Sequence, residues 1–449
     1  MKHINNVKVV ATKKYTEAVI ADYRRNTNAF VAWEFAWGLG ISFTMFATMV
    51  PAYLDELGAS KSLIGVMASL GIIPCPLQII ISHYFRNKPR IKWLTCTHIA
   101  GVLPWFILSI VLFYIGQSIP TTLHLTLFCI SVIFCMSFCV GNGALYFSVI
   151  TDCTPMKKRG SLFGYRIGAV AVAMLIMYFP ARLVMQHWPE PQNFHVAFII
   201  GTAFYIVSCF ILLTIREHRD PRISAGSRGS VRVNGLIVQT RVVIRKMLRN
   251  PNYKVFLFFN IMFIVALTSA SFLIVFAKEL LELKGSDIPT FSIIQMTSSA
   301  VFAIIFGLLA DKIGYRIIGI IQGIILMIAF LIVTLMAHGV NMFGGMIYVA
   351  FSLYASVVMV AGMVMTNMSV ELLPKQNSGT LIAAANLLMM PIILFTNPFA
   401  GWIVDKTGSY VIIFAIGSII SAISALGFWL LVREPRTRKI YIIRHIRWG

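Results

Sequence analysis

The feature that most constrains this chain is a series of twelve long apolar stretches separated by short polar segments. About 20 apolar residues in an α-helix, at about 1.5 Å per residue, cross the roughly 30 Å hydrocarbon core of a bilayer. Backbone polar groups in lipid need partners within the protein, which favours helices. The sequence therefore predicts an all-α polytopic membrane protein. The predicted spans are residues 29–54, 62–85, 93–116, 123–151, 161–186, 194–215, 254–281, 287–310, 316–337, 342–370, 379–404 and 410–432.

Composition excludes most other classes of protein. The chain is 58% hydrophobic and 12% charged, with a mean hydropathy of +0.82, whereas soluble domains average about 25% charged residues. The longest polar segment, 216–253, is too short for a soluble catalytic domain. The sequence has no metal-binding set, no nucleotide-binding loop and no nucleophile with a base in one loop. We therefore expect neither an enzyme nor a bound cofactor.

The basic residues predict the orientation of the chain. The net charge is +22, and most Lys and Arg fall in the tails and in alternate loops that would share one side of the membrane. Such a bias places both termini in the cytoplasm. The charge then reflects topology and attraction to anionic lipids, not nucleic-acid binding. Compact loops suggest a multi-pass protein of a bacterial inner membrane, and we expect a monomer.

The two halves of the chain repeat. Domain boundaries follow from the spans: a tail at 1–28, a six-helix bundle at 29–215, a linker at 216–253, a second bundle at 254–432 and a tail at 433–449. A shift of 219 residues superimposes four local features without a gap. These are Gly143 on Gly362, Asp152 on Glu371, Pro155 on Pro374 and Gly160 on Gly379. Parallel halves of this kind occur in transporters that alternate access about a central site.

Residues 307–316, with the sequence GLLADKIGYR, join spans 8 and 9. They resemble the signature loop of the major facilitator superfamily, G-x-L-A-D-[RK]-x-G-[RK]-[RK]. The resemblance implies two pseudo-symmetric six-helix bundles and a conformational latch between Asp311 and the start of span 5, near 161–164. The latch candidates are Gly307, Asp311, Lys312, Gly314 and Arg316, together with the carboxylates Asp152 and Glu371 that end spans 4 and 10.

Two other segments differ from this pattern. The loop at 82–90 places His83 where the carboxylate is expected, which puts a latch in the first half in doubt. A similar string at 401–408, with the sequence GWIVDKTG, falls on the outer side of the membrane by span count. We interpret it as a turn.

Among the acidic residues Glu34 alone lies clearly inside a predicted span, and among the Lys and Arg residues Arg166 alone does, each about five residues from the inner end. A buried ionisable group costs at least about 2.5 kcal/mol, so it is a functional candidate. Burial favours the neutral carboxylic acid and a nearby guanidinium favours the carboxylate, so a moving Arg166 could switch the protonation of Glu34. A permanent structural pair and direct contact with substrate are the alternatives.

The resemblance places spans 1, 4, 7 and 10 around a central cavity. Polar and aromatic residues on these spans and on span 11 are the substrate-cavity candidates: Trp37, Thr44, Asn142, Tyr146, Asn260, Tyr354, Asn367 and Asn386. Hydrogen bonds between helices are the alternative role for any one of them.

The function predicted from these features is secondary active transport of a small organic solute by rocker-type alternating access, coupled to protons as a symporter or antiporter. The scarcity of deep charges disfavours a polyanionic substrate. A neutral, zwitterionic or amphipathic solute is expected instead. An uncoupled facilitator, and a membrane sensor or scaffold that transports nothing, are the alternatives that stay open.

Overall fold

The computed structural model describes residues 2–85, 88–155, 158–218, 233–340, 343–373 and 378–435, and within these ranges the regular structure is helical. The described residues contain twelve helical segments that are long and apolar enough to cross a membrane. The predicted all-α fold with twelve spans is therefore confirmed. Eight spans are single helices. They are span 3, Arg90–Ile115; span 5, Arg159–His187; span 6, Gln192–Leu212; span 8, Ile288–Ile313; span 9, Tyr315–Ala337; span 10, Met346–Leu372; span 11, Ser378–Thr407; and span 12, Val411–Leu430.

Four spans are interrupted, a feature that the apolar runs alone do not reveal. Span 1 consists of Lys2–Thr44 and Met49–Glu56, so its helix begins well inside the predicted tail. The other three interrupted spans are span 2, Lys61–Ala68 and Cys75–Tyr84; span 4, Thr121–Gly141 and Gly143–Cys153; and span 7, Pro251–Thr268 and Leu273–Leu281. A further helix, Val233–Arg249, lies in the linker.

The described residues fall into two compact units. The first contains the residues up to 45 and those between 70 and 238, and the second contains 46–69 and the residues from 239 onward. In the first unit span 1 packs against spans 5 and 6, and span 3 packs against spans 4 and 6. Phe30, Leu94 and Val149 are fully buried in the shared core of spans 1, 3 and 4.

The second unit repeats much of this packing. Span 12 packs against spans 7 and 9, just as span 6 packs against spans 1 and 3 in the first unit. Span 9 packs against span 10, just as span 3 packs against span 4. The unit also includes the second helix of span 1, Met49–Glu56, and the first helix of span 2, Lys61–Ala68, which packs against span 11. Spans 1 and 2 therefore contribute one part to each unit, and both are interrupted near the change.

Candidate functional site

The packing of span 1 against span 5 brings the two deep charges predicted from the sequence together. Arg166 Nε donates a hydrogen bond of 2.8 Å to Glu34 Oε1, and Arg166 Nη2 donates to the same oxygen. Tyr146 on span 4 donates its hydroxyl to Glu34 Oε1 over 3.3 Å. The side chains of Arg166 and Glu34 are 10% and 13% exposed. Removing either partner would leave a buried charge without compensation.

Aromatic rings surround this ion pair within the first unit. The ring of Trp37 stacks on Trp33 at 5.6 Å and on Tyr205 at 4.0 Å. The ring of Tyr146 lies 4.6 Å from that of Trp33, and the guanidinium of Arg166 lies 5.0 Å from the Tyr146 ring. Rings packed in this way form a rigid apolar layer beside the charges. Trp33 Nε1 is buried, and no hydrogen-bond acceptor for it lies among the described residues.

Two other candidates of the first unit form contacts between helices. Thr44 donates to Gly40 O over 3.1 Å and shares a 2.5 Å hydrogen bond with the Tyr205 hydroxyl. Asn142 Nδ2 donates to Thr97 Oγ1 over 2.8 Å. Both candidates are buried, so their observed contacts fit the structural alternative as well as a role in a cavity. Tyr205, on span 6, was not among the predicted residues.

The candidates of the second unit have mostly apolar surroundings. Asn260 Nδ2 faces the sulfur atoms of Met365 and Met389 at 3.3 and 3.8 Å, which are weak acceptors. Its Oδ1 is buried without a partner among the described residues. The remaining candidates are Tyr354, which is buried against Phe351; Asn367, which donates to Met363 O on its own helix; and Asn386, which is half-buried.

The signature loop ends in a turn that is fixed to the end of span 12. Gly314 has a φ of +86°, and a Cβ there would lie 2.4 Å from Glu434 Oε2. Arg316 N donates to Glu434 Oε2 over 3.0 Å, and Arg316 Nε donates to Phe428 O over 3.0 Å. Lys312 is exposed, and Gly307 has only ordinary contacts. The side chains of Asp311, His83 and Ser161 lie outside what the structure describes.

Asp152, a latch candidate, belongs to a buried ionic network in the first unit. Arg90, at the start of span 3, donates to Asp152 Oδ2 and to Glu217 Oε1, each over 2.8 Å. Its Nη2 donates to His218 O over 3.0 Å. Arg90 is 4% exposed. The network ties the start of span 3 to the ends of spans 4 and 6. Glu371, the counterpart of Asp152, is half-buried at the end of span 10.

A paired hydrogen bond recurs at the same place in both units. Asn26 Nδ2 donates to Arg216 O over 3.0 Å, and Arg216 N donates back to Asn26 Oδ1 over 2.9 Å. Asn252 forms the same two bonds with the backbone of Arg433, each at 2.9 Å. Glu217 and Glu434 follow the two arginines. The sequence carried the signal for this repeat, because an aliphatic-Arg-Glu triplet follows span 6 at 215–217 and span 12 at 432–434.

These two asparagines should differ in their contribution to stability. Asn26 is fully buried and Asn252 is half-exposed. Asn26→Ala leaves backbone groups without partners in a dry environment, so it should lower the free energy of unfolding by about 1–3 kcal/mol. Water can replace the amide in Asn252→Ala, which should therefore cost less. Unfolding of both variants in one detergent measures the difference, and equal costs would contradict the expected effect of burial.

Comparison with known proteins agrees with this architecture. The model of the Major Facilitator Superfamily matches residues 35–395. The class defined by the twelve spans and their repeated packing is a polytopic membrane protein. Because the match covers most of the sequence, the chain belongs to the Major Facilitator Superfamily, and it is a transporter and not an enzyme. Among curated protein sequences, none matches this chain.

Several solved transporters share the fold. The nucleoside transporter NupG is 15% identical, with a TM-score of 0.61 over 90% of this chain and 98% of that chain. A partially occluded inward-open form of the xylose transporter XylE from E. coli is 15% identical, with a TM-score of 0.64 over 91% and 98%. A POT family transporter in complex with 5-aminolevulinic acid is 13% identical, with a TM-score of 0.66 over 92% and 96%. At these identities the likeness shows the fold alone.

Proposed function

We propose that this chain is a proton-coupled secondary transporter of a small organic solute, that it works by rocker-type alternating access, and that Glu34 carries the coupling proton. The observation that supports this most is the buried contact of Glu34 with Arg166 and Tyr146. A buried carboxylate is costly unless it is paired. A buried carboxylate beside aromatic rings is a group that can gain and lose a proton as the transporter changes conformation.

The proposed coupling step needs little chemistry. While the Arg166 guanidinium donates to Oε1, it stabilises the ionised form of Glu34. When a conformational change draws Arg166 away, the buried carboxylate loses its counterion and takes up a proton from the side that is open. The return of Arg166 favours release of that proton. Solute transport is coupled to proton transport if solute binding changes the populations of the conformations with Arg166 near Glu34 and away from it.

The chemistry beside the pair favours a solute with a flat or cyclic apolar face and at least one hydrogen-bond acceptor. Trp37, which is partly buried, supplies aromatic surface, and Trp33 Nε1 is a donor without a partner among the described residues. The similar structures are of transporters named for nucleosides and for xylose, which are small organic solutes of cyclic form.

A stability screen followed by flux measurements tests the proposal. The purified chain is heated with a library of metabolites at two pH values, because a ligand at 100 times its Kd stabilises the folded state by about 2.7 kcal/mol. Solutes that stabilise are then tested for uptake into proteoliposomes with and without a pH gradient. Uptake that is indifferent to the gradient would support the uncoupled facilitator, and a library that gives neither binding nor flux would support the sensor or scaffold.

The arrangement in the membrane is part of the same proposal. The two six-helix bundles, 29–215 and 254–432, act as the two halves of a monomer in a bacterial inner membrane, with both termini in the cytoplasm. The linker helix Val233–Arg249 exposes Arg241, Arg245, Lys246 and Arg249. Cations at the inner surface attract anionic lipid headgroups.

Labelling of single cysteines tests the orientation. Ser118 and Lys158 are both exposed and lie in loops on opposite sides of the predicted membrane. In a background without the seven native cysteines, Ser118→Cys should react with an impermeant thiol reagent from the periplasm, and Lys158→Cys should react only after the membrane is opened. The reverse pattern would place the termini in the periplasm and overturn every side assigned here.

A further inference from the structure

The first helix of span 2 begins on a carboxylate of span 11. Lys61 N donates to Asp405 Oδ1 over 2.7 Å, Ser62 N donates to Oδ2 over 2.9 Å, and Ser62 Oγ donates to Oδ2 over 2.6 Å. The first backbone N–H groups of a helix have no partners within it, and the helix dipole favours negative charge there. Asp405, which lies more than 300 positions away in the sequence, therefore caps the helix Lys61–Ala68.

The two helices approach each other at backbone distance. A Cβ on Gly401 would lie 2.2 Å from Lys61 O, and a Cβ on Gly65 would lie 2.3 Å from Asn397 O. Asn397 Nδ2 donates to Ser69 Oγ over 3.0 Å. Only glycine permits contacts this close. The interface is therefore specific to this arrangement, and a looser packing of the same helices would not need two glycines.

Ion pairs surround the end of this interface. Lys61 Nζ lies 2.5 Å from Asp55 Oδ1 and 2.7 Å from Glu279 Oε1. Lys278 Nζ lies 2.5 Å from Glu56 Oε2. The pairs join the turn between spans 1 and 2 to the end of span 7. Because most of these side chains are partly exposed, each pair contributes modestly, and they supplement the cap.

The sequence around Asp405 has the same spacing as the signature loop. Residues 307–314 and 401–408 both follow Gly-x-x-x-Asp-Lys-x-Gly. Each string ends in a glycine with positive φ, +86° at Gly314 and +65° at Gly408. By the proposed topology the two strings lie on opposite sides of the membrane. The contacts of 401–408 are those of a helix cap between elements remote in sequence, whereas the sequence suggested only a turn.

We infer that Asp405, with Gly401 and Gly65, forms an outer latch that holds the first helix of span 2 against span 11 in one conformation and opens once in each transport cycle. This inference rests on the proposed function. Residues 46–69 pack in the second unit, although the continuations of spans 1 and 2 pack in the first. A cycle that separates the halves on the outer side must break this cap. Asp405 is then a positioning residue that sets how often the outer side opens.

Accessibility and crosslinking test the latch directly. In a cysteine-free background, Ser69→Cys should react with an impermeant maleimide roughly fivefold or more faster when Asp405→Ala is added, since that factor is typical for replacement of one helix cap by alanine. The matched control is Glu282→Ala, which removes an exposed carboxylate on the same proposed side and should leave the rate unchanged. Equal rates with Asp405 and with Ala at that position would overturn the latch.

A reversible lock covers the case in which Asp405→Ala fails to fold. Ser69→Cys combined with Asn397→Cys places two thiols where the present side chains are in contact. Oxidation should stop transport and a reductant should restore it. Full transport by the oxidised protein would show that this contact never opens and would overturn the inference. The labelling rates do not require transport or proton coupling, so failure of the proposed function leaves that arm readable.

Discussion

Glu34→Gln should abolish accumulation of substrate against a gradient while leaving exchange of substrate across the membrane. The amide keeps the size of the side chain and can still accept a hydrogen bond from Arg166 or Tyr146, whose donors point to Oε1 in the native protein. It cannot ionise, so it cannot take up and release a proton. Accumulation in proteoliposomes with an imposed pH gradient should fall to the level of simple equilibration, and counterflow should persist.

Two further variants show whether the effect belongs to the proton. Tyr146→Phe removes only the longest bond to Glu34, at 3.3 Å, and should keep most of the accumulation. Arg166→Ala leaves Glu34 buried without its guanidinium, which costs about 3–5 kcal/mol. A pair that is purely structural predicts instead that Glu34→Gln loses exchange together with accumulation, as Arg166→Ala does. Accumulation by Glu34→Gln at the native level would rule out the coupling role.

The spans could be predicted from sequence because each depends on local composition. A run of about 20 apolar residues has few alternatives to a helix in lipid. The Glu34 and Arg166 contact could also be anticipated, since two opposite charges at the same depth compensate each other's burial. The first argument uses only local composition, and the second uses only the distance of each residue from the end of its span.

The helix interruptions and the ionic network could not be predicted in this way. Thr44 and Asn142 adjoin breaks in spans 1 and 4, yet nothing in the surrounding apolar runs distinguishes them from residues in continuous helices. Arg90 was one of several bases in a loop that lacked the expected carboxylate. Its partners, Asp152 and Glu217, lie 62 and 127 residues away. Contacts over such separations depend on packing that a single sequence does not specify.

Asp405 illustrates an intermediate case. Its neighbourhood shares the spacing of the signature loop, but its position on the predicted outer side favoured a turn. The glycine with positive φ at 408 fits a turn. The three hydrogen bonds to Lys61 and Ser62 required knowledge of which helix lies opposite. The motif therefore indicated a segment that could form specific contacts, and only the fold identified the helix that it contacts.

Arg90→Ala should be among the most destabilising single changes in the chain. Arg90 is 4% exposed, and its guanidinium bonds to two carboxylates and a carbonyl oxygen. Its removal takes a positive charge away from two largely buried carboxylates, Asp152 and Glu217, so the free energy of unfolding should fall by about 3–5 kcal/mol. Chemical denaturation in mixed micelles measures this loss, with the thermal midpoint as a check.

The matched control is Arg316→Ala in the other half. Arg316 Nε and Nη2 donate to the carbonyl oxygens of Phe428 and Trp429, so its loss strands neutral groups and should cost about 1–3 kcal/mol. The charge left on the two carboxylates can be tested as the cause of the larger loss in Arg90→Ala. Arg90→Met combined with Asp152→Asn and Glu217→Gln should then recover most of the stability, because the three neutral side chains keep the volume and remove the repulsion. A triple variant as unstable as Arg90→Ala would show instead that the geometry of the guanidinium, which joins the ends of spans 4 and 6 to the start of span 3, stabilises this region.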